Sequence, residues 1–496
     1  MRDGLERLEA ALAAGTELPG RAQGIWGAGL VAWMLGDLDR AWGAGQESLS
    51  LFRGADDMAG TARSLGLLGM VEGIRNPAGA RPLLEESIQL ARAADDAWCL
   101  ACSLGMLGYA AVFQGDFNAA AVPFEQCVSV ARRAGDLQGL RMGLLGVGWV
   151  ALQRGATDAA ARALEEGTEI ARSLGDPVWT AVALVYTGEF ARIRGHSPAA
   201  RVHFEEAASL ARRAGAPVIL AFALSFLGRC RLDDGCLTEA RALFEEVVGM
   251  ATVAGNRGNV ALALLGLAEV AWSMGDGALA DERYQEALQL ARECGDKLAV
   301  AQALLGLGRF ARSRSDGSRA TLACHDALDT HLTVGSVRGT AETLEALAGL
   351  ALDSDNPEQA ARLFGAAADM RNTAGFAPLP AGHDDISRLA KHLDEAQLET
   401  LWNQGMALSP EEAVAYAQRA RGLRRPARIG WKSLSRTEVQ VVELAAMGLT
   451  NREIGQRLFV SPRTVQTHLA HAFAKLGVSS RRELASLVEK ASATPS

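Results

Sequence analysis

Three hydroxyl–carboxylate pairs mark the stretch from Leu434 to Leu487: Ser435 with Glu438, Thr450 with Glu453, and Ser480 with Glu483. In such a capping box the hydroxyl accepts a backbone N–H, and the carboxylate accepts the cap residue's own N–H. A fourth start signal is Ser461 followed by Pro462, a cap with proline at the first helical position. Cations run between these signals. Residues 424–490 hold 12 Lys/Arg and 5 Asp/Glu, a net of +7; the whole chain totals −8, so the remainder carries −15. The chemistry open to these side chains is non-covalent. Guanidinium, ammonium and amide donors displace counterions from a polyanion and hydrogen-bond to it. A basic module on an acidic body is the electrostatic footprint of a nucleic-acid reader.

The elements that must hold these residues follow from the start signals. Four short helices are announced, and Gly448 and Gly477 stop the first and third. The second and third are joined by Phe459-Val460-Ser461, which makes a helix-turn-helix. The helix 462–476 carries Val465, Leu469, Phe473 and Leu476 at helical spacing, a core face for Val441, Leu444, Ile454 and Leu458.

The residues Leu449-Thr450-Asn451-Arg452-Glu453-Ile454, then Leu458, Ser461, Thr464-Val465, His468, Lys475-Leu476-Gly477-Val478 and Arg481, closely resemble the DNA-binding domain of LuxR-type transcription regulators. The resemblance covers about the last eighth of the chain. It implies that Gln466, Thr467 and Ala470 face the major groove. Glutamine can read adenine bidentately, and a threonine methyl can meet that of thymine. Asn451, Arg452, Arg463, Thr464, Lys475 and Arg481 become candidates for phosphate contact. Against that, a charged residue here can be a solvated face, and Arg452 and Arg481 can pair with glutamates inside the domain. Two departures stand out. Many relatives have lysine where Gln466 stands, and Gly455 replaces a frequent alanine.

Other chemistry finds no support. No Ser-His-Asp set or paired carboxylates stand out, so no catalytic residue is assigned. Cys99 and Cys102 form one CxxC without a second pair or nearby histidine, so no metal site and no cofactor are expected. No apolar run of 18 residues and no signal-peptide pattern is present, which leads to the expectation of a cytoplasmic protein without a membrane partner.

Most of the chain is a repeat. Glycine falls at 135, 175, 215, 255, 295, 335 and 375, and alanine at 80, 120, 160, 200, 240, 280, 320 and 360, a period of 40 residues. Such regularity means stacked helical units. The offsets Leu227-Gly228…Ala240…Phe244, repeated as Leu107-Gly108…Ala120…Phe124, resemble the tetratricopeptide repeat. About six residues beyond the usual 34 are expected between the second helix of one unit and the first of the next. Repeats of this length resemble the body of MalT-like LuxR-type ATPase regulators. Their ATPase would need a glycine-rich phosphate loop ending in Gly-Lys-Ser/Thr. This sequence contains no Gly-Lys pair. Two alternatives stay open: a regulator without an ATPase, or the C-terminal part of a longer one.

The expected fold is all-α, a tetratricopeptide-like superhelical solenoid followed by a four-helix helix-turn-helix DNA-binding domain. The repeats, about nine, span 1–375. A linker (376–382) and three helices (about 384–393, 395–405 and 410–421) form a cap and connector over 376–422. A basic linker covers 423–432, the DNA-binding domain 433–490, and a disordered tail 491–496. Expected partners are double-stranded promoter DNA, a second copy on DNA, and RNA polymerase or a signalling protein or peptide. The rival reading is a scaffold acting through the solenoid. By the resemblance, the inner groove carries Tyr109, Trp149, Glu189, Arg229, Glu269 and Arg309 in successive units, with Arg192, Trp272 and Arg312 one turn on. The competing reading makes the tryptophans packing residues and pairs the charges across units.

Overall fold

The computed structural model describes residues 20–377 and 382–419; of the C-terminal part it describes 441–442, 444–458 and single positions among 465–484. Every regular element among the described residues is an α-helix. Two compact units divide the chain at Ala417/Gln418.

In the first unit, helices alternate in antiparallel pairs. The first pair is Arg21–Met34 with Leu38–Gly54, and the last is Val337–Asp353 with Pro357–Ala374; nine pairs lie among the described residues. The repeat alanines explain the pairing. Ala80, Ala120, Ala160, Ala200, Ala240, Ala280, Ala320 and Ala360 are all fully buried. An alanine there lets the two helices of a unit approach, and a larger side chain fills the space beside it. Phe244, for example, lies against Gly228 of its own unit and Gly266 of the next; a Cβ at either glycine would meet its ring.

The extra residues of the long repeat are not between units. Leu237–Val253 is followed at once by Arg257–Ser273, leaving three residues for the turn. The added length lies in the helices, which run 17 or 18 residues in these units.

After the last pair come Gly382–Leu389, Glu395–Met406 and Pro410–Arg419, close to the three connector helices expected. Leu389, Leu401, Ala413, Val414 and Ala417 join the hydrophobic cluster of the final repeats and so cap the apolar end of the stack. Ser409 starts the last helix with a full capping box: its N–H donates to Glu412 Oε2 at 2.9 Å, and Glu412 N–H donates to Ser409 Oγ at 3.2 Å.

The solenoid winds tightly enough to touch itself. Lys297 N–H donates to Gln114 O at 3.0 Å, and Lys297 Nζ lies 2.9 Å from Asp116 Oδ2. Asn118 Nδ2 donates to Thr333 O at 3.2 Å. Ala377 N–H donates to Ile193 O at 2.8 Å, and Phe376 is buried among the early repeats. The first residues of the expected linker are therefore docked. Lys297 and Asp116 are 181 residues apart, and at 40 residues per unit one turn takes about four and a half units.

Candidate functional site

The C-terminal unit is described only in part, and its core is the clearest feature. Val441, Val442, Ala445, Ile454, Val465, Leu469, Ala472, Leu476 and Leu484 form one cluster, with Leu444, Leu449 and Val478 at its edge. Asn451–Leu458 is a helix, and its start is the expected capping box. Thr450 N–H donates to Glu453 Oε2 at 2.7 Å, and Glu453 N–H donates to Thr450 Oγ1 at 3.4 Å. The other three start signals of this region lie outside the described residues.

Val465 is fully buried and its neighbour Gln466 is exposed. A single register therefore anchors the helix by one side chain and presents the next to solvent. Asn451 is half-buried. The side chains of Arg452, Arg463, Thr464, Thr467, Ala470, Lys475 and Arg481 lie outside the described residues. Among those described, no group of histidine, cysteine or carboxylate side chains could hold a metal ion.

The second candidate site is the interior of the solenoid, a cavity of about 1640 Å³. Of the nine groove residues expected from sequence, Tyr109, Trp149, Glu189, Arg192, Arg229, Glu269, Trp272 and Arg309 line it. Arg312 does not. Its guanidinium is held by Asp353 at 2.6 Å and by Asp385 of the connector at 2.6 Å, which ties the connector to the stack.

Nor is the lining an open groove. Because the superhelix is tight, inner faces meet across the axis. Tyr109 packs with Trp179 two units on, at 6.0 Å between ring centres. Trp149 stacks on Tyr186 at 4.6 Å and meets Phe226 edge-on at 6.2 Å. Arg141, almost fully buried, lies over the Trp179 ring at 4.7 Å and reaches Asp176 at 3.1 Å. The two aromatics expected at one end are thus largely packing residues.

The charges pair across units and across turns. Arg229 binds Glu269 of the next unit. Glu189 accepts from Arg192 at 2.7 Å and from Arg338, in the facing turn, at 3.1 Å. Arg338 also holds Glu342 at 2.7 Å. Burial opposes the charge on Glu342, but the guanidiniums of Arg338, Arg309 and Arg371 outweigh it and hold its carboxyl well below the usual range. Sequence reasoning missed Arg338, Glu342 and His331. The available signal was departure from the repeat: His331 stands where six other units have alanine, at 91, 131, 171, 211, 251 and 291.

Comparison with known proteins agrees with both units. Residues 432–488 match the family described as "Bacterial regulatory proteins, luxR family". Five overlapping or successive stretches between 64 and 314 match the family described as "Anaphase-promoting complex subunit 5". A Mycobacterium bovis protein, "Putative HTH-type transcriptional regulator Mb0914c", is 48% identical over 145 residues, 28% of this chain. The match takes up only 16% of that relative's length. "Oxygen regulatory protein NreC" of Staphylococcus aureus is 44% identical over 54 residues, 11% of this chain and 25% of its own. Among solved structures, a Rap protein complexed with competence and sporulation factor has a TM-score of 0.57 at 14% identity. That alignment covers 71% of this chain and 98% of the Rap chain, and it shows the shared helical-repeat fold. The chain thus carries a LuxR-family helix-turn-helix domain behind a tetratricopeptide-like solenoid.

Proposed function

We propose that the protein is a sequence-specific, DNA-binding regulator of transcription whose repeat body senses a signal or holds a protein partner. The observation that carries the reading is the luxR-family match over 432–488, supported by a closed core with Gln466 exposed beside buried Val465. In this reading Gln466, Thr467 and Ala470 face base edges. Asn451, Arg452, Arg463, Thr464, Lys475 and Arg481 grip phosphates, where they fix register without reading sequence. Two copies on DNA would read half-sites about 10 base pairs apart. The work is binding, not catalysis. A cytoplasmic location follows from the task, and no helix among the described residues is long and apolar enough to cross a membrane.

The solenoid's part rests on its interior, a cavity with a charged and aromatic wall. The Rap structure, which shares the repeat fold, is of a complex with competence and sporulation factor, and that supports a bound partner for the repeat body here. The test is selection of random duplex DNA by the purified full chain. Enrichment of one motif supports the reading. Retention only of DNA in general, vanishing at moderate salt, counts against it.

A further inference from the structure

Because the units share one template, a departure from it that buries a polar atom without a partner shows where the chain needs something other than packing. Two departures face the cavity from neighbouring units. The residue that fills the gap between helices is phenylalanine at 124, 204, 244 and 364, leucine at 84 and 164 and cysteine at 324, but at 284 it is tyrosine, which alone adds a hydroxyl. The alanine of the next helix turn becomes His331. Both side chains are buried, at 1% exposure each. Neither the Tyr284 hydroxyl nor either ring nitrogen of His331 has a hydrogen-bond partner among the described residues.

A buried polar atom left unpaired is costly, so a fold that only needed packing would keep phenylalanine and alanine. The contrast with Arg371 is instructive. It occupies the same template position as His331, one unit on, and finds partners inside the protein. Glu345 receives it at 2.6 and 3.0 Å, and the carbonyl of Ala377 at 3.2 Å.

Arg309 joins the two. The Tyr284 ring lies on Gly306, one helical turn before Arg309. The His331 ring lies on Gly339, one turn before Glu342, and Arg309 donates to the Glu342 carbonyl at 3.4 Å. A side chain at either glycine would meet the ring above it; Gly306 receives the aromatic as Gly146 and Gly266 do in their units, and Gly339 makes room for His331. Arg309 is half-buried. Unlike the other buried or half-buried arginines of the lining, it has no carboxylate oxygen within 4 Å among the described residues. Four of its five N–H donors are therefore unassigned.

We propose that Tyr284, Arg309 and His331 form a binding site for a small monocarboxylic acid with an apolar body. The carboxylate takes the planar fork of Arg309, for which it is the matching bidentate acceptor. The Tyr284 hydroxyl donates a further hydrogen bond to the ligand. His331, kept neutral by burial, has Nδ1 packed on Gly339 and leaves Nε2 as the nitrogen for the ligand. Trp272, half-buried and edge-on to Phe310 at 6.0 Å, supplies an apolar flank in the same lining. Arg338, Arg371 and Arg229 are already engaged by Glu342, Glu345 and Glu269, and Arg192 by Glu189 and Asp233, so Arg309 is the guanidinium of this wall left for a ligand, and a ligand of low charge suits it. A doubly charged phosphate would leave buried charge uncompensated. The site deepens the proposed sensing role of the solenoid and rests on that reading, not on DNA binding.

The experiment uses the full chain and three acids, benzoate, phenylacetate and octanoate, each against its own amide, with inorganic phosphate as a further arm. Thermal shift and titration calorimetry should show an acid binding, with its amide and phosphate silent. Arg309→Gln should abolish the difference between acid and amide. Tyr284→Phe and His331→Ala should each weaken binding by roughly tenfold, the loss of about one hydrogen bond. Without ligand both should melt at or above the temperature of the parent, since each restores the template residue. The proposal is overturned if no acid binds, if amides or phosphate bind equally, or if the variants keep the parent's affinity. DNA selection on the same preparation separates the two readings: acid binding without DNA binding removes the regulator and keeps the site, and the reverse removes the site alone.

Discussion

His331 is held neutral by its surroundings. Burial, with Arg309 acting in the same direction and Glu342 against it, lowers its pKa to about 4. In the unfolded chain a histidine titrates near 6.5. Between these values the unfolded state binds a proton that the folded state refuses, so stability falls as pH falls from about 6.5 to 4. The loss should reach about 3 kcal/mol, and above about pH 7 it is absent. Asp296, whose carboxyl burial pushes up to about 6, titrates in the same window with the opposite sign. The test is therefore a difference: urea melts should show the stability of the parent relative to His331→Ala falling by about 3 kcal/mol from about pH 7 to about pH 4. At the other end of the chain, Val465 is fully buried, and Val465→Asp should unfold the C-terminal unit by stranding an unpaired charge, at several kcal/mol. Gln466→Ala, on the exposed neighbour, should leave melting unchanged and relax base preference at one position. Circular dichroism with DNA-site selection checks both. Val465 was legible from helical spacing alone. The role proposed for Gln466 rests on family resemblance, since nothing in the local pattern distinguishes a base-reading amide from a solvated one. His331 is legible only as a misfit in its own repeat.

Among elements, the connector helix Glu395–Met406 shows what close backbone approach requires. Gly365 lies beneath the Trp402 carbonyl and Gly405 beneath that of Arg362; a Cβ at either would collide with backbone, which cannot rotate away. Gly405→Ala should therefore cost about 1–3 kcal/mol by overpacking. The opposite sign is expected at Gly249, exposed within Leu237–Val253 with open space around it. Gly249→Ala should stabilise by about 0.5–1 kcal/mol, because it removes freedom from the unfolded chain without a clash. Chemical denaturation of the two variants reads both numbers. The helix pairs were legible because alanine at a 40-residue period admits one packing. The capping box at Thr450 was legible because hydroxyl and carboxylate types at that spacing have one local use. The placement of the repeat's extra residues was not. Longer helices and a longer turn give the same period, and only the stacking decides between them.

At the scale of the whole solenoid, closure was hidden from the sequence. Curvature accumulates from a small rotation per repeat, which no single residue encodes. For that reason the expected groove proved to be an interior, with Tyr109 and Trp149 packed across the axis and Arg312 engaged by the connector. The seam can be tested with two turn glycines of the same backbone conformation, Gly115 at φ 64° and Gly135 at φ 68°. Alanine costs about 1 kcal/mol at either for its left-handed backbone. Only at 115 would it also strike Leu298 in the facing turn; at 135 nothing lies within 4 Å. Gly115→Ala should destabilise clearly more than Gly135→Ala, and amide exchange near Lys297 should rise only in the former. Equal effects would mean that the turns do not hold each other.

The central claim, that this chain reads DNA through its C-terminal helix-turn-helix, is tested most directly by sequencing the duplexes that the purified full chain selects from a random pool, in parallel with Gln466→Ala and Lys475→Ala. The account predicts one enriched pseudo-palindromic motif for the parent. Gln466→Ala should lose preference at a single position of each half-site, and Lys475→Ala should keep the motif at uniformly lower affinity with a shallower salt dependence. No motif above background in the parent, or the same profile in Gln466→Ala, would contradict it.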